Sequence, residues 1–327
     1  MLDLSSRDGC GSKAPCEEPG HLHILLAAPR GFCAGVTRAI DAVRDALAKN
    51  GPPVYVRRPI VHNMDVVRSL EAEGAVFVEE LDEVPPGSVV LFSAHGVSPE
   101  VALDARSRSL IAYDAVCPLV GKVHREVERH QRAGRVVILV GHEGHPEIEG
   151  TLGHAANGQS FVVRSAAEVW RLPVRDNTPA AYAIQTTYSV EEAQQVVEAL
   201  HEKFSNLAGP SSSDICYATT NRQKAVQAIA EQADATIIVG EQFSSNARRL
   251  AEVAQIYCTE VQLISGPDEL NLSQLPLRGT VAISAAASTP ESAVRAVIDR
   301  LSQTYAVTIR EVATSRETAV FKPLEIS

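Results

Sequence analysis

Seven short apolar runs punctuate the chain: Ile24–Ala28, Val54–Val56, Val89–Phe92, Val136–Val140, Ala181–Ile184, Thr236–Val239 and Val281–Ile283. Each is nearly continuous rather than alternating, the pattern of parallel strands covered on both faces. Between them the period becomes helical. Val36, Ile40, Val43 and Leu47 share one helical face up to Gly51-Pro52, and Leu119, Val120, Val123 and Val127 do the same up to Gly134. Strand alternating with helix predicts an α/β protein with parallel sheets and right-handed crossovers. The stretch Leu207–Ser213 (Leu-Ala-Gly-Pro-Ser-Ser-Ser) reads as the clearest internal linker, and no short-period repeat is evident.

At 327 residues the chain has room for two or three domains of ~150 residues. A net charge of −10 argues against a nucleic-acid partner, which needs a basic face, and requires any anionic substrate to be met by local donors. No apolar run approaches the ~18 residues of a membrane helix. The first twenty residues lack a charged start followed by an apolar stretch, so they do not read as a secretory signal, and a cytoplasmic protein is expected. With Gly9, Gly11, Pro15, Pro19, Gly20 and several charges, they read as a disordered tail.

In open α/β sheets, ligands bind beyond the carboxyl ends of the strands. The seven runs lead to Pro29–Cys33, Val61-His62-Asn63, Ser93-Ala94-His95-Gly96, Gly141–Glu147, Gln185-Thr186-Thr187, Gly240–Asn246 and Ser284–Ser288. Turn residues at any one strand end are unremarkable. Histidines and small hydrogen-bonding residues at seven ends point to a shared site. His62, His95 and His145 are neutral or cationic donors suited to phosphate oxygens, and Ser244, Ser245, Asn246 and Ser288 add uncharged ones. Glu147, beside His145, is a candidate proton donor if burial moves its pKa towards neutrality; the alternative is an exposed turn residue, the reading preferred for Glu143 and Glu149. No Walker-type phosphate loop is present.

Six cysteines occur, with no Cys-x-x-Cys pair. Cys33, Cys117 and Cys216 each precede a predicted helix, where the dipole and free N–H groups favour thiolate, the form that binds iron. They are 84 and 99 residues apart, one per domain-sized interval. A four-iron cluster held by three cysteines leaves one iron open as a Lewis acid. The residues alone also allow three buried small side chains, or a zinc site of three cysteines and a histidine, although zinc sites usually show a close ligand pair. Cys10, Cys16 and Cys258 read as tail and core residues.

Longer segments carry a resemblance. Pro29-Arg30-Gly31-Phe32-Cys33-Ala34-Gly35-Val36, Val61-His62-Asn63, Ser93-Ala94-His95-Gly96-Val97-Ser98, Cys117-Pro118-Leu119-Val120, Gly144-His145-Pro146-Glu147, Gln185-Thr186-Thr187, Asp214–Gln223 and Ser244-Ser245-Asn246 stand in the order and spacing of the 4-hydroxy-3-methylbut-2-enyl diphosphate reductase (LytB/IspH) family, which the chain resembles from about Leu22 onward. The resemblance implies a cloverleaf of three small parallel-sheet α/β units, in pseudo-threefold arrangement, around a central [4Fe–4S] cluster. The division it implies is 1–20 tail, 21–34 strand and turn joining the third unit, 35–117 unit 1, 118–213 unit 2, 214–312 unit 3 and 313–327 C-terminal tail. It further implies reductive dehydroxylation of an allylic diphosphate to isopentenyl and dimethylallyl diphosphates, the last step of the non-mevalonate isoprenoid pathway. Electrons would come from a ferredoxin or flavodoxin, and the protein would be a monomer. By position, Cys33, Cys117 and Cys216 would bind the cluster; His62, His95, His145, Thr187, Ser244, Ser245, Asn246 and Ser288 the substrate; and Glu147, Thr186 and His145 would act in catalysis, with Thr186 favoured over Thr187 for the proton relay. Ala286, before the Ala287-Ser288 pair, departs from the glycine usual there, and Ala247 follows Asn246 where serine is frequent.

Overall fold

The structure is a computed structural model that describes residues 20–155 and 160–326. The expected tail, with Cys10 and Cys16, lies outside the described residues except for Gly20, which already begins the first strand. A Cβ on Gly20 would collide with the Leu277 carbonyl oxygen and the Tyr305 ring, so the strand starts where a glycine lets neighbouring backbone close in.

The chain runs through β1 (Gly20–Ala28), α1 (Ala34–Asn50), β2 (Val54–Arg57), α2 (Met64–Glu73), β3 (Ala75–Val78), β4 (Val89–Phe92), α3 (Pro99–Ser107) and β5 (Ile111–Asp114). It continues with α4 (Pro118–Arg132), β6 (Val136–Val140), α5 (Pro146–Gly153), β7 (Ser160–Val163), α6 (Ala166–Val169), β8 (Ala180–Ile184), α7 (Val190–Lys203) and β9 (Leu207–Ala208). Last come α8 (Tyr217–Ala230), β10 (Ala235–Val239), α9 (Ser245–Tyr257), β11 (Glu260–Ile264), β12 (Arg278–Ala285), α10 (Glu291–Ser302) and β13 (Tyr305–Ala313).

Three all-parallel sheets result, as the continuous apolar runs predict. Their strand orders are β3-β2-β4-β5, β7-β6-β8-β9 and β11-β10-β12-β1-β13. The same path is traced three times. A cysteine opens a helix; then come strand, helix, edge strand, strand, helix and edge strand. The wide spacing of the three cysteines is the period of this repeat. The third sheet differs by admitting β1 between β12 and β13, with Ile24 level with Val281 on one side and Ile309 on the other.

All seven predicted strands are interior strands, and the six that the pattern did not reveal are all edges. β4, β6 and β10 are buried at every position, whereas β5 buries only Tyr113 and β13 only Tyr305. An edge strand has one neighbour and little cover, so its sequence need not be apolar. For that reason Leu207–Ser213 is not wholly a linker: Leu207 and Ala208 form β9, paired with Ala180 and Ala181.

Each unit has its own core. The first is built around Val56, Leu91 and α1's Val43, the second around Ile138, Val140 and Leu200, and the third around Ile24, Ile237 and Ile283. Loops leaving the carboxyl ends of β1, β2, β4, β6, β8, β10 and β12 meet in one central cavity.

Ile24 is fully buried between two sheet neighbours. Ile24→Ala is expected to lower stability by about 2–5 kcal/mol, the range for a truncated core aliphatic. The exposed Leu277→Ala should change it by less than about 0.5 kcal/mol. Urea unfolding followed by circular dichroism checks both.

Candidate active site

Cys33, Cys117 and Cys216 are the N-cap residues of α1, α4 and α8, so each occupies the same place in its repeat. All three line the central cavity and are half-buried. Space between them is kept by Gly35: a Cβ there would lie 2.7 Å from Cys117 Sγ and 3.8 Å from Cys33 Sγ. Cys216 Sγ accepts from the Thr219 amide at 3.3 Å. The helix-terminus donors do favour thiolate, through Leu119 and Val120 for Cys117 and Thr219 for Cys216, but burial outweighs them. It pushes the Cys117 thiol up to about 12 and the Cys216 thiol up to about 11, with repulsion between the cysteines adding to both. At Cys117 and Cys216 the expected thiolate is therefore disfavoured by its surroundings. Cys258 is a core residue at the end of α9, as its sequence context suggested.

Glu147, the second residue of α5, is 2% exposed, which removes the reading of an exposed turn. The Thr186 amide donates to its Oε1 at 2.6 Å, and the Thr186 hydroxyl donates to its Oε2 at 2.9 Å. Burial pushes the carboxyl up to about 7 against these two bonds, helped by the charge of Asp214. Because the amide occupies Oε1, a proton on this carboxyl belongs on Oε2, facing the Thr186 hydroxyl. Thr187 points elsewhere: its hydroxyl accepts from Gln185 Nε2 at 2.9 Å and donates to Ser245 Oγ at 3.2 Å. Glu149, read as exposed, sits at the surface in an ion pair with Arg58.

The three histidines converge from three loops. Ring centroids are 4.2 Å apart for His62 and His95, 5.4 Å for His62 and His145, and 5.9 Å for His95 and His145. Burial is the main cause that lowers all three, to about 4 for His62, to about 3 for His145 and well below the usual value for His95. Positive neighbours add to this, Arg248 for His62 and His145, and Arg58 for His95. They are thus neutral donors rather than cations. His145 Nδ1 accepts from the Glu147 amide, so its proton sits on Nε2, which is buried without a partner. His62 Nε2 and Asn246 Nδ2 are likewise buried and unpartnered. Asn246 Oδ1 accepts from the Ala287 amide at 2.9 Å, which turns its NH₂ inward. Ser245 and Asn246 form the first turn of α9, capped by Ser244, so free amides of a helix N-terminus lie beside them. Ser288 closes the ring, donating to the His62 carbonyl at 3.0 Å. Outside glycine, only Arg58 and Ser109 among the described residues have positive φ, so Ala286 sits in its loop without strain.

All thirteen side chains singled out in the sequence line this one cavity. The supports behind them stood in the quoted segments without a role of their own. Gln185 accepts from the His142 amide at 3.0 Å and positions Thr187. Asp214 accepts from the Ile184 amide and from Lys122, tying the Cys216 loop to α4. The units are joined across the cavity by Arg58–Glu149, by Glu241 accepting from the Met64 amide, and by Arg249–Glu192.

Comparison with known proteins agrees with this picture. The profile of the LytB protein family matches residues 24–302. The 4-hydroxy-3-methylbut-2-enyl diphosphate reductase of Ruegeria pomeroyi is 49% identical over 302 residues, covering 92% of this chain and 96% of its own. That of Phenylobacterium zucineum is 48% identical over 301 residues with the same coverage. Among solved structures, the E-1-hydroxy-2-methyl-but-2-enyl-4-diphosphate reductase of Plasmodium falciparum superposes with a TM-score of 0.88 at 36% identity, over 93% of this chain and 96% of that one.

The raised pKa of Glu147 predicts a pH signature. Its protonated form is favoured on folding, so its contribution to stability is fully present below the unfolded value of about 4.5 and is lost as pH rises through about 7. Wild type and Glu147→Gln, unfolded by urea at a series of pH values, should differ by an amount that changes between pH 4.5 and 7, with wild type losing relative stability. The difference should be level above that window. A flat difference throughout would rule out the raised pKa.

Proposed function

The chain belongs to the LytB protein family, and we propose how its central cavity serves the reaction of that family, reduction of (E)-4-hydroxy-3-methylbut-2-enyl diphosphate to isopentenyl and dimethylallyl diphosphates. It is an oxidoreductase of the non-mevalonate isoprenoid pathway, whose terminal enzyme a second solved structure represents at 32% identity. The observation that carries the reading is the joint placement of three thiols, a buried carboxylic acid and a ring of unpartnered donors on one cavity.

The donor set fits an iron–sulfur cluster. Three thiols from three units face a shared space that Gly35 keeps clear. Cys33, Cys117 and Cys216 would hold a [4Fe–4S] cluster by three corners. When bound, it supplies single electrons and a Lewis-acidic iron free of protein ligand.

The remaining steps fall to the chain. The diphosphate is held by His62, His95 and His145 as neutral donors, by the Asn246 amide group, by Ser244 and Ser245 at the start of α9, and by Ser288. Neutral donors suit this task, because a dry pocket strengthens each hydrogen bond without requiring a buried protein charge. Thr187 braces Ser245 and faces the substrate. Glu147 holds the proton on Oε2 near neutral pH and passes it to the Thr186 hydroxyl, which donates its own onward to the departing hydroxyl group, leaving water; two electrons and a second proton, taken up at the allyl carbon, complete the reduction. His145 fixes the carboxylic acid by accepting the Glu147 amide. No described helix is long and apolar enough to cross a membrane. A ferredoxin or flavodoxin as donor, a monomeric state and a cytoplasmic location complete the proposal.

Anaerobic purification with iron and sulfide analysis is expected to give a brown protein with about four irons per chain, losing iron in Cys117→Ser. Dithionite-reduced viologen should be oxidised only when the allylic diphosphate is present. Glu147→Gln should slow that oxidation by about 10²–10⁴-fold, the range for a general acid, with substrate affinity held within a few fold. A colourless zinc protein, or Glu147→Gln with full turnover, would overturn the reading.

A further inference from the structure

Arg222 is 1% exposed, the largest fully buried side chain among the described residues, and no step above uses it. It lies on α8, the helix that Cys216 opens, and reaches across to the loop that presents Cys33. Its Nε and Nη2 donate to the Gly31 carbonyl at 3.1 and 2.7 Å, and Nη2 also reaches the Phe32 carbonyl at 3.4 Å. Gly31 has φ of +65°, so this loop is sharply turned at the point where the guanidinium grips it. The opposite side is tied to the third sheet: the Gly31 and Cys33 amides donate to the Ala285 and Ala287 carbonyls.

A buried guanidinium needs a counter-charge. It comes from Glu317, in the C-terminal segment beyond β13, whose oxygens lie 2.9 Å from Nη1 and 3.3 Å from Nη2. Asn221 Nδ2 donates to the same carboxylate at 3.2 Å. The segment then crosses to the first unit. Arg38 donates to the Lys322 carbonyl, Lys49 to the Ile326 carbonyl, and Leu324 and Ile326 pack on the first core. On the way, Glu317, Val320 and Phe321 wall a groove of about 670 Å³ that has Cys33 in its lining.

We propose that Glu317 and Arg222 are positioning residues for Cys33, through which the C-terminal segment holds one of the three thiols of the cavity in register with Cys216. The pair fixes the backbone on the N-terminal side of Cys33, while α1 fixes the other side. Placing the thiol rests on the reading of Cys33 as a cluster ligand, but the clamp itself is a property of the polypeptide and is testable without iron.

The test uses full-length chain carrying Glu317→Gln or Glu317→Asp, beside wild type. In metal-free protein, iodoacetamide alkylation of Cys33, Cys117 and Cys216 is followed by peptide mass spectrometry. Loss of one charge-assisted anchor should raise the Cys33 rate about tenfold in Glu317→Gln, with Cys117 and Cys216 within about twofold of wild type and Glu317→Asp in between. In reconstituted protein, release of iron to a chelator should quicken in the same order. An unchanged Cys33 rate, or equal rises at all three cysteines, overturns the clamp. If Cys33→Ser retains four irons, the ligand assignment fails instead, and the alkylation result still judges the clamp.

Discussion

Removal of water from the central cavity is the constraint on which the rest of the site depends. Desolvation penalises whichever form of a group is charged, so it raises acids and lowers bases. Here it acts on every titratable kind at once. Cys117, Cys216 and Glu147 are raised, while His62, His95 and His145 are lowered. These six side chains of the cavity thus prefer neutrality. Under the proposed function, charge would enter with the ligands: an anionic diphosphate would meet neutral N–H donors, and thiolates would form against a metal. Burial also leaves the Glu147 carboxyl, raised to about 7, partly protonated near neutral pH, where an exposed one would be ionised.

The threefold path explains how so many loops reach one place. A parallel strand followed by a helix delivers its loop and the free amides of that helix to the same end of the sheet. Repeating the unit three times brings three cysteine-capped helices and six strand ends to a common centre. The repeat is geometrical, and the chemistry is divided unequally over it. Equivalent loops carry His62, His145 and Ser244 in the first position and His95, Thr186 and Ser288 in the second. The first unit supplies two imidazoles, the second a third imidazole with the acid and its hydroxyl partner, and the third hydroxyls and an amide.

What the sequence revealed follows from burial on both faces. Interior strands such as β4 and β6 must be apolar throughout, so they stand out, whereas β13 is constrained chiefly by backbone pairing and hides among polar residues. Site residues were legible because strand-end position and side-chain chemistry coincide, as at His95 and Glu147. The protonation states were not. Helix N-termini argued for thiolates and the histidines could be neutral or cationic; only the surrounding protein shows that desolvation outweighs the helix ends at Cys117 and Cys216 and makes the histidines neutral. Arg222 stands inside the Asp214–Gln223 segment quoted above, but its role was not legible, because its carbonyl partners lie 190 and 191 residues away in sequence.

The position of β1 bears on how the molecule is made. Among the described elements synthesis delivers β1 before the others, yet its two partners, β12 and β13, come almost last. The first two sheets draw on contiguous stretches of chain and can close as they emerge, while an apolar strand bearing Leu22, Ile24 and Leu26 must wait with its edges unpaired. During that interval the nascent chain carries an adhesive segment that chaperones are suited to cover. Once β13 seats beside it, the first and last strands of the described residues share a single sheet, so the third unit is completed only when nearly all of the described elements are present.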